Sequence, residues 1–139
     1  CVDHSQHWVY ENPHVTPKER NAKWLELESI YLPNRDYGDI EFPKTGGIWQ
    51  GQLHIYQMPF YYIDYTLAQT CAFQFWMKNE NDKEKAWEDY LRLCKAGGSL
   101  PFTKLVELAE LELPFNDGCL ESVVEHVSQW LDGIDPKEL

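Results

Sequence analysis

Pro59 interrupts a stretch, residues 48–65, that otherwise reads as a single aromatic helix, and it limits what this part of the chain can build. Proline has no amide hydrogen and its ring clashes with the carbonyl four residues back. A helix beginning near Ile48 must therefore kink or break at Met58. The pattern predicts helix again from about residue 60 to residue 78. At 3.6 residues per turn, positions 54, 58, 61 or 62, and 65 fall near one face. His54, Tyr61, Tyr62 and Tyr65 then form a row of polar tips on apolar bodies. Such a row suits a groove that holds a polar backbone and stabilises a developing oxyanion. The same spacing describes a half-buried core face whose hydroxyls reach water, and Pro59 serves equally as a plain helix boundary.

The flanking sequence carries more helix punctuation. Residues 2–11 read as a helix ending before Asn12-Pro13. Thr16-Pro17-Lys18-Glu19 is a helix start, with threonine as cap, proline at the first helical position and glutamate three residues after the cap. That helix carries Trp24, Leu25, Leu27, Glu28 and Tyr31 and stops before Pro33. Residues 34–47, with Gly38, Pro43, Gly46 and Gly47, read as a loop, extended at most briefly over 39–42. A polar connection over 79–82 leads to a helix over 83–95, which Gly97-Gly98 ends. Ser99 is the expected cap of a helix reaching about Leu111, with Leu105, Val106, Leu108, Ala109 and Leu111 as its inward stripe before Pro114-Phe115. Asp117 is the expected cap of a last helix through Val123, Val124, Val127, Trp130 and Leu131, with Gly133 as its stop and residues 132–139 fraying. The chain is all-α, a helical bundle. Its 139 residues predict a single helical domain over 1–139.

A formal net charge of -11 without a basic cluster excludes nucleic acid as a partner, since the phosphate backbone would be repelled. It argues equally against an anionic membrane surface. No apolar run is long enough to span a bilayer, and the N-terminus lacks the pattern of a signal peptide. Cys1, Cys71, Cys94 and Cys119 are widely spaced in or beside apolar helical patterns, which predicts reduced, packed thiols and a cytoplasmic setting. Cys1-Val2-Asp3-His4-Ser5-Gln6-His7 offers three metal-ligand types without a second pair. A terminal helix is the simpler reading.

Gln52-Leu53-His54-Ile55-Tyr56 followed by Pro59-Phe60-Tyr61-Tyr62-Ile63-Asp64-Tyr65 resembles the C-terminal region of oligoendopeptidase F, in the M3 family of zinc metallopeptidases. Gln6-His7-Trp8-Val9-Tyr10-Glu11-Asn12-Pro13 and the stretch from Tyr31 to Tyr37 extend the resemblance upstream. Ala86-Trp87-Glu88-Asp89-Tyr90-Leu91, Ala96-Gly97-Gly98-Ser99 and Pro114-Phe115-Asn116-Asp117-Gly118-Cys119 extend it downstream, so that it covers about residues 2–131. His4-Ser5 departs from it, where an acidic and an apolar residue are expected. The resemblance implies a C-terminal fragment of a larger, mostly helical metallopeptidase fold. In that family zinc is held by two histidines of a His-Glu-x-x-His helix and a glutamate from a following helix. No histidine here precedes a glutamate: His4, His7, His14, His54 and His126 are followed by Ser5, Trp8, Val15, Ile55 and Val127. The chain thus lacks the zinc motif, and no ligands for the metal are identified in it.

By resemblance, His54 donates to substrate and Tyr65 to the oxyanion as the catalytic pair. Tyr62 lies nearer the substrate main chain, with Tyr61 as the rival for either tyrosine role. Gly46 and Gly47 would let a loop approach a bound peptide, or mark only a turn. The implied function is the substrate-binding portion of a zinc metalloendopeptidase that hydrolyses short peptides, inactive as this chain alone. Its partners would be short peptides, the missing N-terminal portion, or a second copy. The alternative is a non-catalytic helical module that binds peptides or self-associates.

Overall fold

Local capping chemistry positions the first two helices. In the computed structural model, which describes residues 1–135, α1 spans Val2–Glu11 and α2 spans Pro17–Tyr31. The Thr16 side chain accepts the Glu19 amide at 3.3 Å, and the Glu19 carboxylate accepts the Thr16 amide at 2.7 Å. This reciprocal box satisfies two donors that a helix start otherwise leaves unpaired. Short elements follow: α3 over Glu41–Lys44, a single 3-10 turn η1 over Ile48–Gly51, and α4 over Leu53–Gln57. The chain then forms α5 over Ile63–Asn81, α6 over Lys83–Ala96, α7 over Phe102–Leu108 and α8 over Cys119–Asp132. No strand occurs among the described residues. The expectation for residues 136–139 lies outside them.

The chain divides into two compact units, Cys1–Tyr65 and Thr66–Leu139. In the first, α1 packs on α2, and Trp24 and Leu27 form the centre with Gln6 and Glu28 buried beside them. The Glu28 carboxylate is satisfied by the Tyr37 hydroxyl at 2.5 Å and by Arg35 at 3.3 Å. In the second unit, α6 packs on α7, and the core is Ala86, Val106, Ala109, Cys119 and Val123. Asp89 is fully buried there and pairs with Lys78, Lys85 and Arg92. Burial alone would push its carboxyl up, but hydrogen bonds and charge from Lys78 and Lys85 bring it down to about 2.

Several sequence expectations are corrected. The 34–47 loop holds the one-turn α3, and within 39–42 the cap residue Ile40 is extended while Glu41 and Phe42 are already helical. Asp82 makes the whole connection over 79–82: α5 continues to Asn81, and the Asp82 carboxylate caps α6 by accepting the Lys85 amide at 3.0 Å. Ser99 caps nothing, because the residue before a proline resists helical geometry and the helix therefore enters only after Pro101. Asp117 is displaced by Gly118, whose φ of 87° puts a left-handed residue at the cap position. All four cysteines are free, yet Cys94 lies on the exposed side of α6 instead of packed. Pro59 causes a complete break, not a kink: residues 58–62 are non-helical between α4 and α5.

Candidate functional site

The site lies in the first unit and begins with the way η1 is anchored. Gly46 adopts φ 76°, and a Cβ there would stand 2.2 Å from the Asn21 carbonyl oxygen of α2. Only glycine allows this approach. Gly47 is buried beside it, where a Cβ would press on the Phe42 ring at 3.1 Å. The approach brings Trp49 to α2, where its indole N–H donates to Asn21 Oδ1 at 2.9 Å. Trp49 in turn stacks on Tyr56 of α4, with centroids 6.3 Å apart.

After α4, the break at Pro59 is held by α1. Phe60 has φ 63°, a left-handed conformation unusual for a bulky residue, and its amide donates to Gln6 Oε1 at 3.0 Å. Its ring sits between His7 at 4.8 Å and Tyr10 at 4.9 Å. The chain thus folds back upon α4 and brings the predicted side chains together. His54 lies 6.1 Å from Tyr61, nearly parallel at 10°, 5.1 Å from Tyr62, and 5.9 Å from Tyr65 edge-on. Tyr65 also meets Tyr61 at 5.5 Å and Tyr62 at 5.4 Å. Met58, which helical spacing put on the same face, is the half-exposed C-cap of α4. The cluster opens to solvent: Tyr65 is 51% and Tyr61 37% exposed, with His54 and Tyr62 partly buried.

Two groups set the protonation of this cluster. The Gln52 amide donates to His54 Nδ1 at 2.8 Å, so the neutral ring carries its proton on Nε2 as a donor. A hydrogen bond with the Tyr61 side chain, and its charge when ionised, hold the Tyr65 phenol above its usual range, so Tyr65 remains a donor. Sequence reasoning missed Gln52 and the Gln6–Phe60 tether. Gln52 stands two residues before His54, a spacing that helical periodicity does not pair.

The N-terminal histidines are engaged elsewhere. His4 Nδ1 is hydrogen-bonded to the Tyr31 hydroxyl at 3.1 Å, and His7 lies 3.5 Å from Asp3. Among the described residues, no three of His, Cys, Asp and Glu converge as a metal site. None of the helices described is long and apolar enough to cross a membrane.

No family model matches the chain, and no curated protein matches it at a significant level. Solved structures do. A protein assigned as oligoendopeptidase F, determined at 3.1 Å by X-ray diffraction, is 56% identical with a TM-score of 0.91 over 99% of this chain and 24% of its own. PZ peptidase A with an inhibitor is 53% identical with a TM-score of 0.90, over 96% of this chain and 24% of that one. An oligoendopeptidase F from Bacillus anthracis is 44% identical with a TM-score of 0.76, over 99% and 21% respectively. The chain spans about a quarter of the length of these neighbours. An all-helical chain matched almost end to end at these identities belongs to the oligoendopeptidase F family, as a segment of its larger helical fold.

Proposed function

We propose that residues 1–139 are the C-terminal, substrate-facing part of the catalytic domain of a zinc metalloendopeptidase that cleaves short peptides in the cytoplasm. The observation that carries this reading is the convergence of three phenols on one imidazole at 5.1 to 6.1 Å, open to solvent. An extended peptide exposes a row of carbonyl acceptors, and this wall offers donors. His54 donates from Nε2 to a substrate carbonyl. Tyr65, held protonated, donates to the oxygen that gains charge as the scissile carbonyl is attacked. Tyr62 is next to the main chain, with Tyr61 as its rival. Gly46 acts by letting η1 close on α2, which carries α4 into position, and Gly47 by leaving room for the Phe42 ring.

The zinc of this reading does not fit the residues of this chain, because no three potential ligands meet among those described. Its ligands belong to the remainder of the longer protein, and this chain alone is inactive. Exposed apolar side chains such as Trp87, Phe115 and Trp130 favour coverage by that remainder. They also favour the second reading, a self-associating fragment, which a monomer in sedimentation at high concentration would count against.

The test is Tyr65→Phe, introduced at the matching tyrosine of an intact oligoendopeptidase. Loss of one oxyanion donor should lower turnover by about a hundred- to a thousand-fold, with a smaller change in KM. Unchanged turnover removes Tyr65 from the catalytic pair. Chelator-sensitive peptidase activity in the purified 139-residue chain would overturn its assignment as inactive.

A further inference from the structure

α1, α2 and the η1–α4 segment border a half-open cavity of about 190 Å³, lined by Gln6, Val9, Arg20, Trp24, Trp49 and Tyr56 among others. Three of these residues carry a buried N–H that meets no acceptor: the Gln6 side-chain amide, Arg20 Nε and Trp24 Nε1. Gln6 and Trp24 are 3% and 5% exposed, so bulk water does not satisfy them. The Gln6 amide orientation is fixed by Phe60, whose N–H takes its oxygen and leaves the NH₂ over. The shortfall is local, since the neighbouring Trp49 indole is paired with Asn21. Arg20 adds a permanent positive charge that no carboxylate neutralises among the described residues.

The unmet groups are all donors, and one belongs to a cation. A metal ion would be repelled by Arg20. A water molecule brings no charge to balance the Arg20 guanidinium. A phosphate brings more charge than one guanidinium balances. A carboxylate is acceptor-only, carries one charge and offers two oxygens to several donors. The apolar remainder of the wall suits a short hydrocarbon stem.

We propose that this cavity is a receptor for a carboxylate on such a stem, the Asp or Glu side chain of a segment in the remainder of the longer protein. Only that source rests on reading the chain as part of a longer peptidase; the carboxylate preference stands on the cavity itself.

The test follows the Trp24 Nε1–H and Arg20 Nε–H signals of the 139-residue chain by ¹⁵N NMR at constant ionic strength. Sodium propionate should shift both downfield and saturably, while sodium chloride and propionamide should not. Arg20→Gln should weaken propionate about tenfold or more. Equal responses to propionate and propionamide overturn the carboxylate assignment, and no saturable response overturns the site. These arms need only the wild-type chain, so they decide even if Arg20→Gln unfolds. Two peptides then separate the sources, one end-blocked with a single glutamate, the other with a free C-terminus and no acidic side chain. Tighter binding of the first supports the side-chain source, and tighter binding of the second overturns it. No readout depends on peptidase activity, so failure here leaves the proposed function standing.

Discussion

Gly46→Ala, compared with Gly38→Ala and Gly51→Ala, separates two reasons for glycine in the first unit. Gly38 and Gly46 both have positive φ, 51° and 76°, where an L side chain costs about 1–2 kcal/mol. A Cβ at Gly38 meets nothing within 4 Å, so strain is its whole penalty. At Gly46 the Cβ would stand 2.2 Å from the Asn21 oxygen, 2.8 Å from its carbonyl carbon and 2.9 Å from Leu25 Cγ. Two of these atoms are backbone of α2, which the Thr16–Glu19 box and the buried Trp24 and Leu27 hold in place. Overpacking of this kind adds about 1–3 kcal/mol, for a total of about 2–5 kcal/mol at Gly46. Gly51 has neither a positive φ nor a contact, and its alanine variant should stay within about 0.5 kcal/mol of wild type. Urea unfolding followed by far-ultraviolet circular dichroism gives all three values, with unchanged m as the check that one transition is compared. The close approach to α2 is refuted if Gly46→Ala proves no more destabilising than Gly38→Ala.

Asp89 has its carboxyl depressed from 3.8 to about 2, so its stabilisation is fully present above the unfolded value and is lost as pH falls through the folded one. Wild-type stability should therefore drop between about pH 4 and pH 2, more steeply than that of Asp89→Asn; parallel acid titrations of unfolding would refute the ion cluster. For His54, ¹⁵N shifts of the imidazole should identify Nε2 as the protonated nitrogen, and Gln52→Leu should remove the hydrogen-bond shift at Nδ1. A wild-type ring protonated at Nδ1 would reverse the assigned donor. Thiol alkylation followed by mass spectrometry should modify exposed Cys94 first and buried Cys119 last, because burial also pushes the Cys119 thiol up. Early labelling of Cys119 would refute its place in the core.

Signals confined to a few adjacent residues were legible in the sequence. Thr16-Pro17-Lys18-Glu19 forms the box it spells, and Gly97 and Gly133 end α6 and α8. The errors at Ser99 and Asp117 are local too. In each case a good capping side chain precedes a residue with a stronger backbone demand, Pro101 or Gly118. Backbone geometry outranks a side-chain hydrogen bond there, because a cap contributes about 1 kcal/mol and a wrong φ costs at least as much.

The ring cluster is a different case, in which the expected residues meet by an unexpected route. Helical periodicity grouped positions 54, 58, 61 or 62, and 65, yet between residues 53 and 65 only 53–57 and 63–65 are helical. The grouping survives because the break at Pro59 turns the chain back, so that Tyr61 and Tyr62 face His54 from a loop. That turn depends on Phe60 at positive φ, held by the side-chain amide oxygen of Gln6, which lies 54 positions earlier. No periodic pattern encodes a tether of that span. Gln6 also connects the two sites of this unit, since its oxygen fixes the turn beneath the tyrosines while its NH₂ is unpaired beside Arg20 and Trp24. An acceptor bound to that NH₂ would polarise the amide and strengthen the bond to Phe60, because hydrogen bonds in series reinforce one another. If the cavity takes a carboxylate as proposed, the turn that carries Tyr61 and Tyr62 should be held more firmly with the cavity filled than empty.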